Sequence, residues 1–182
     1  MNIILACDNK YGIGINNTLP SWKLKEDMKK FKKVTIKNGH NVVIMGKNTF
    51  LSLKQQPLKH RTNIVVSASL YKLNSPPHSD YCIIDSFIIC KDIESAVLIA
   101  KSFTSIWDDS EIWIIGGAII YDSFVQKYII NKFFLTWVEG DFNCDIFLRP
   151  STIDFINKLD WTNIKKHKNF TFFEYNNDID IY

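Results

Sequence analysis

Asp27 stands where a solvated carboxylate should not. The segment Leu24-Lys25-Glu26-Asp27-Met28-Lys29-Lys30-Phe31-Lys32-Lys33-Val34-Thr35 repeats Leu24, Met28, Phe31 and Val34 at helical spacing, and Asp27 lies between Leu24 and Phe31 on that stripe. A carboxylate facing inward costs free energy unless a partner satisfies it. A ligand with paired N–H donors would do so, which makes Asp27 a candidate for binding and for proton transfer. The plainer alternative is helix electrostatics. Acidic residues favour a first helical turn, and Lys23 or Lys30 stands close enough in sequence to pair with Asp27. Glu26 is the contrast: it points off the stripe, with Lys29 and Lys30 at offsets that suit a surface ion pair.

Other residues that could do chemistry sit where strands end. Asn41 to Met45 is a β-branched run that stops at Gly46-Lys47-Asn48-Thr49 and leads into a short helix over about Thr49 to Leu53. Glu111 to Ile115 reads as a central strand running straight into Gly116-Gly117 and a helix from Ala118 to Lys127. Both junctions put backbone N–H groups and a helix start where a phosphate could sit, and Lys47 adds a cation to one of them. A single Gly-Gly after a strand is more often a tight turn; two such junctions in one sheet carry more weight. Residues 2–7 form a third strand, followed by a turn-rich segment from Asp8 to Ser21 of a length that is usually functional.

The remaining elements must position these groups. Thr62 to Ser67 is a buried strand, Ser69 to Ser79 with Pro76-Pro77 reads as an ordered surface loop, and short strands follow near Tyr81 to Ile84 and Phe87 to Cys90. A helix spans about Ile93 to Thr104. Lys132 to Val138 and Phe170 to Tyr175 have no helical segment between them, only a long loop, and suggest an antiparallel C-terminal hairpin at one sheet edge. Repeated strand–helix alternation gives an α/β fold: a mixed, mostly parallel central sheet flanked by helices, binding ligands beyond the carboxyl ends of its strands.

With 182 residues, 46% of them hydrophobic and 23% charged, the chain suits one domain, 1–182, with a substantial core. A net charge of +3 does not argue for nucleic acid, so the lysine-rich helix face reads as a solvated surface that could also draw in an anionic small molecule. No stretch spans a membrane, and the amino terminus is too short for a signal peptide. Cys7, Cys82, Cys90 and Cys144 and the scattered histidines show no metal-type spacing. The expectation is therefore no metal site and reduced thiols in a cytoplasmic protein.

In order and spacing these pieces resemble the dihydrofolate reductase family. The resembling motifs are Gly12-Ile13-Gly14-Ile15-Asn16-Asn17-Thr18-Leu19-Pro20 with Trp22, then Asp27 and Phe31-Lys32, then Val43-Ile44-Met45-Gly46-Lys47-Asn48-Thr49-Phe50 with Ser52. Pro57-Leu58, Arg61, Asn63 to Ser67, Ile114-Ile115-Gly116-Gly117-Ala118 with Tyr121, and Phe134-Leu135-Thr136 complete the set. The resemblance implies a single-domain dihydrofolate reductase-like fold and hydride transfer from NADPH to the pteridine of dihydrofolate. Under it, Asp27 accepts hydrogen bonds from the pterin ring N–H and 2-amino group and assists protonation of N5. Trp22, Tyr121 and Thr136 join it in the catalytic set. Ile4, Leu5 and Ala6 form the pterin floor, with Ile115 beside them, while Met28, Phe31 and Leu58 wall the cleft. Arg61 grips the substrate's α-carboxylate through a two-pronged pair.

On the cofactor side the resemblance gives Ala6, Ile13 and Gly14 to the nicotinamide end, under a loop from Asn9 to Trp22 that closes and excludes water. Gly46, Lys47, Asn48 and Thr49 meet the phosphates from one junction. Gly116, Gly117, Ala118 and Ile119 meet them from the other, a turn the family often builds with a cis peptide. Ser67, Ser69 and Lys91 serve the adenosine. The implied partners are small molecules, dihydrofolate and antifolate inhibitors, on a monomer unless the chain is cut from a fusion with thymidylate synthase.

The chain departs from the family pattern at several places. Ser21 separates Pro20 from Trp22, so the closing loop must bulge. Lys47 stands for a common arginine, Ala68 and Ile119 stand where other members carry phosphate ligands, and Asn143-Cys144-Asp145-Ile146-Phe147 only approximates a family stretch. Rival readings are a riboflavin-pathway reductase of the same fold and a catalytically idle folate- or nucleotide-binding module.

Overall fold

Runs of apolar and β-branched residues too short for a helix make the middle of the sheet. The computed structural model describes residues 1–22, 24–76 and 79–177. In chain order the elements are β1 (Asn2–Asp8), β2 (Gly12–Gly14), α1 (Lys25–Ile36), β3 (Val42–Gly46), α2 (Lys47–Ser52), β4 (Thr62–Val66), α3 (Ala68–Asn74), β5 (Tyr81–Ile84), β6 (Phe87–Cys90) and α4 (Ile93–Thr104). They continue with β7 (Ile112–Ile114), α5 (Ala118–Lys127), β8 (Lys132–Val138), β9 (Ile146–Phe147), α6 (Pro150–Lys158), β10 (Asn163–Lys166) and β11 (Phe170–Asn176).

The main sheet runs β10-β11-β8-β1-β7-β3-β4-β6-β5. From β8 to β6 every neighbouring pair is parallel, and the antiparallel pairs lie at the two ends. Parallel strands covered on both faces must be apolar throughout, and β3 is buried along its whole length. One face packs under α4, α5 and α6 around Ile3, Ile44, Ile64, Phe124 and Phe133. The other packs Val43, Met45, Val65, Phe87 and Trp113, with Phe31 and Val34 of α1 against them. This alternation along β3 is what the mixed α/β expectation requires.

Three connections differ from the sequence expectation. The segment after β4 is helical, as α3, because the Ser67 hydroxyl accepts the Leu70 N–H at 3.2 Å and caps the first turn; Pro77 and His78 lie outside the described residues. The long link between β8 and β11 holds β9, α6 and β10, with Pro150 starting the helix and Thr152 and Ile156 buried on its inner side. Strands β8 and β11 pair antiparallel as expected, but β10 adds outside β11, so the outermost hairpin is β10–β11 and β8 lies inside the sheet between β11 and β1. Within the turn-rich segment, Gly12–Gly14 is a short strand paired with β9.

Phe124 is fully buried where α5 meets the sheet. Phe124→Ala is expected to lower unfolding stability by about 3–5 kcal/mol, read from urea midpoints; a loss below about 1 kcal/mol contradicts this packing.

Candidate active site

Helix α1 packs Phe31 and Val34 against the sheet and turns Leu24, Asp27, Met28 and Phe31 toward an open cleft. Met28 is 51% exposed, Phe31 and Asp27 are half-buried, and among the helix's residues only Thr35 is fully buried. The cleft, about 1310 Å³, opens over the carboxyl ends of β1, β3, β4 and β7. That exceeds the size usual for one small-ligand pocket, about 300–1,000 Å³. It has room for two ligands side by side.

Asp27 marks one end. The Thr136 hydroxyl on β8 donates to Asp27 Oδ1 at 2.5 Å, joining α1 to the strand beside β1. Thr136 itself is buried behind the carboxylate and does not line the cleft. Burial pushes the Asp27 pKa above the ordinary carboxylate value, opposed by the Thr136 bond and by the charge of Lys30. Lys30 does not pair with Asp27: it bonds Glu174 at 2.7 Å on β11 and lies 4.1 Å from the centre of the Phe172 ring. Glu26 forms no ion pair among the described residues, so the surface pair expected for it is replaced by this longer-range one. Ile4, Leu5 and Ala6 line the floor, with Ile115, Met28, Phe31 and Leu58 around them.

The Tyr121 hydroxyl donates to the Ile4 carbonyl at 2.9 Å, fixing α5 against β1 beneath the same floor. Burial, reinforced by Asp27 and Cys7, raises its pKa, so the phenol stays protonated. Arg61 lies outside the cleft wall. Its Nη1 donates to Thr35 Oγ1 at 2.7 Å and its Nε to the Lys59 carbonyl at 3.1 Å, with the guanidinium 5.8 Å from the Phe31 ring.

The middle of the cleft is built by backbone. Gly116 and Gly117 are joined by a cis peptide, and the Gly46 N–H donates to the Gly116 carbonyl at 2.7 Å, so the β3 and β7 junctions touch. Gly116 has φ +108°, and a side chain there would strike the Tyr121 ring. A β-carbon on Gly117 would meet only Thr49 Oγ1, at 3.7 Å. The N-cap of α5, Gly117, therefore presents bare backbone beside Thr49, in a wall shared with Asn48 and Lys47, a setting that suits the phosphates of a dinucleotide. Gly46, Ala118 and Ile119 complete this part of the wall.

Beyond it stand Ser67, Ala68, Asp92 and Glu94. Ser69 lies behind the wall, bonded to Ser67 Oγ and Lys47 Nζ at 3.2 Å each, while Lys91 is turned to Asp80 at 3.0 Å. Among the described residues no cluster of His, Cys, Asp and Glu is arranged to hold a metal ion, and no helix is long and apolar enough to cross a membrane.

A flap covers the Asp27 end. Ile13, Gly14, Asn17, Ser21 and Trp22 reach the cleft from it, and Trp22 packs edge-on against Phe142 at 5.3 Å. Two carboxylates hold its root. The fully buried Asp8 accepts the N–H groups of Lys10 (2.9 Å), Gly12 (2.8 Å) and Phe142 (3.3 Å). Asp145 accepts the Asn16 N–H at 2.9 Å, and its own N–H donates to the Gly14 carbonyl at 3.1 Å.

Asp8, Asp92, Glu94 and Arg149 were not singled out in the sequence. An aspartate ending a strand just before a tight glycine turn is the signal that could have revealed Asp8. The other three reach the cleft only through the order of strands and the placement of α6.

The raised Asp27 pKa has a stability consequence with a definite sign. In the window between the unfolded and folded pKa values the folded chain binds the extra proton, so stability falls as pH rises through it and the deficit is complete above the folded value. Asp27→Asn should thus unfold at higher urea than the parent at pH 7, and the difference should vanish below the ordinary aspartate range. A gap unchanged between pH 3 and pH 7 would contradict a desolvated carboxylate.

The sequence profile of the family described as dihydrofolate reductase matches residues 1–178. A dihydrofolate reductase of Schistosoma mansoni is 34% identical over 173 residues, covering 91% of this chain and 82% of its own. That of Drosophila melanogaster is 28% identical over 152 residues, covering 80% and 77%. A viral dihydrofolate reductase of Saimiriine herpesvirus 2 is 33% identical, covering 81% and 67%. The half-buried acid on α1, the paired glycine junctions and the flap all lie within the matched span, and the chain belongs to the dihydrofolate reductase family.

Proposed function

We propose that the chain reduces 7,8-dihydrofolate to tetrahydrofolate with a nicotinamide dinucleotide, NADPH in the first instance, and that Asp27 holds the pterin. The observation that carries this reading is the half-buried Asp27 carboxylate, anchored through one oxygen by Thr136 and facing a cleft whose other arm is a phosphate-sized backbone cradle. Family membership supports the reaction class. The residues fit the dinucleotide: the bare N-cap Gly117 of α5 lies beside Thr49, and Lys47 and Asn48 line the same wall.

Each group has a task that its surroundings favour. Thr136 occupies Oδ1 and leaves the rest of the carboxylate for the paired N–H donors of the pterin edge. Ile4, Leu5, Ala6 and Phe31 supply apolar contact to the flat heterocycle and keep the carboxylate poorly solvated. A pKa above the ordinary value lets Asp27 exchange a proton nearer to neutral pH, and through an intervening water it assists protonation of the pterin N5. NADPH, when bound, supplies the hydride. Lys47 and the α5 N-terminus balance phosphate charge, and the flap carrying Trp22 excludes water from the reacting ends. Met28 and Leu58 wall the exit toward Arg61, the cation that would receive the substrate's carboxylate tail.

The test is spectrophotometric. The purified chain should oxidise NADPH in the presence of dihydrofolate, with methotrexate abolishing the rate. Asp27→Asn should lose about 10²–10⁴-fold in turnover at pH 7 and regain part of it at low pH, where substrate arrives protonated. Turnover equal to the parent at pH 7 would remove Asp27 from the mechanism. Reduction of a deaminated ribityl pyrimidine alone would favour the riboflavin-pathway reading, and inert protein that still binds dinucleotide would favour the binding module.

A further inference from the structure

Charge is distributed unevenly along the cleft, and strand order says where. Asp27 and Thr136 lie by β8 and β1, the glycine junctions follow β7 and β3, and the next strands outward are β4 and β6. A dinucleotide whose phosphates sit at the junctions therefore carries its adenosine to the ends of β4 and β6, where Ser67, Ala68, Asp92 and Glu94 form the wall.

We infer that this outer end does not select for a 2′-phosphate, so that NADH and NADPH bind with comparable affinity; the inference rests on the dinucleotide reading above. Two cations near this end are already engaged. Lys91 bonds Asp80 at 3.0 Å, and Lys127 bonds Glu94 at 2.6 Å. Among the described residues Lys47 forms no ion pair and offers its ammonium beside Ser69 at 3.2 Å. Ala68, the first residue of α3, presents only a methyl group.

The carboxylate of Asp92 stands in the same wall as Lys47. Its Oδ1 accepts the Ser95 N–H at 2.8 Å as the cap of α4, which fixes the carboxylate in the cleft wall. A ribose 2′-hydroxyl can donate to such a carboxylate, whereas a 2′-phosphate is repelled by it. One lysine and one fixed carboxylate in the same wall leave little net preference. A site built with arginines or several uncompensated cations would gain about tenfold or more per charged contact.

The experiment measures dissociation constants of NADPH and NADH by quenching of intrinsic tryptophan fluorescence, at fixed ionic strength, without substrate. For the parent chain the two constants should agree within about tenfold. Asp92→Asn keeps a capping oxygen for α4, and it should tighten NADPH by about three- to tenfold while NADH stays the same or weakens. Ala68→Arg, at a separate position, should widen the preference for NADPH by about another tenfold. A parent chain that binds NADPH more than about a hundredfold tighter than NADH overturns the inference and leaves the dinucleotide reading intact. So does an Asp92→Asn variant that shifts both constants equally. Binding of neither dinucleotide overturns both.

Discussion

The hydrogen bond from Thr136 to Asp27 joins the two parts that make the cleft. Helix α1 brings the acid and strand β8 brings the hydroxyl, from positions 109 residues apart. The bond holds α1 against the sheet while Met28 and Phe31 line the cleft. Desolvation would expel or neutralise an unanchored carboxylate here; one good donor keeps it in place and leaves the other oxygen available. Lys30 reinforces the arrangement from a distance. Its ion pair with Glu174 ties α1 to β11 and places positive charge near Asp27 without filling its hydrogen-bonding site.

The rest of the molecule serves that geometry. Parallel strands deliver three chain turns to one edge of the sheet, and the buried face under α4 and α5 keeps them in register. Tyr121 ties α5 to β1, joining the glycine junction to the cleft floor. The flap is fixed differently: its root is held by Asp8 and Asp145 through backbone N–H groups, while Asn17, Ser21 and Trp22 reach over the cleft. Its root is thus held by hydrogen bonds while its tip, at Asn17 and Ser21, is exposed.

Local signals were legible in the sequence and long-range pairings were not. The β-branched runs at Val42 to Met45 and Thr62 to Val66, the Gly46 and Gly116-Gly117 junctions, and the misplaced acid at position 27 were all readable, because each depends on a few neighbouring residues. The capped helix after Ser67 is not evident locally, because a single serine cap competes with Pro76-Pro77 further on. Helix α6 is not evident because its apolar face is short. The preference of Lys30 for Glu174 over Glu26 depends on β11 lying beside β8, which no local window contains. Of the residues assigned to the site, most come together in one cleft; Arg61, Ser69 and Lys91 stand outside its wall, Thr136 reaches it only through Asp27, and Asp92 and Glu94 enter it unannounced. Those two were hidden because α4 looks like an ordinary capped surface helix until strand order brings its first turn to the cleft.

The most direct measurement is the titration of the Asp27 carboxyl carbon by carbon-13 NMR, with and without a 2,4-diaminopyrimidine ligand. In the free protein the resonance should titrate above the ordinary aspartate value of about 3.9. In the complex the carboxylate should stay ionised to lower pH, because paired N–H donors favour the charged form. A carboxyl group that titrates at the ordinary value and does not respond to the ligand would contradict the account.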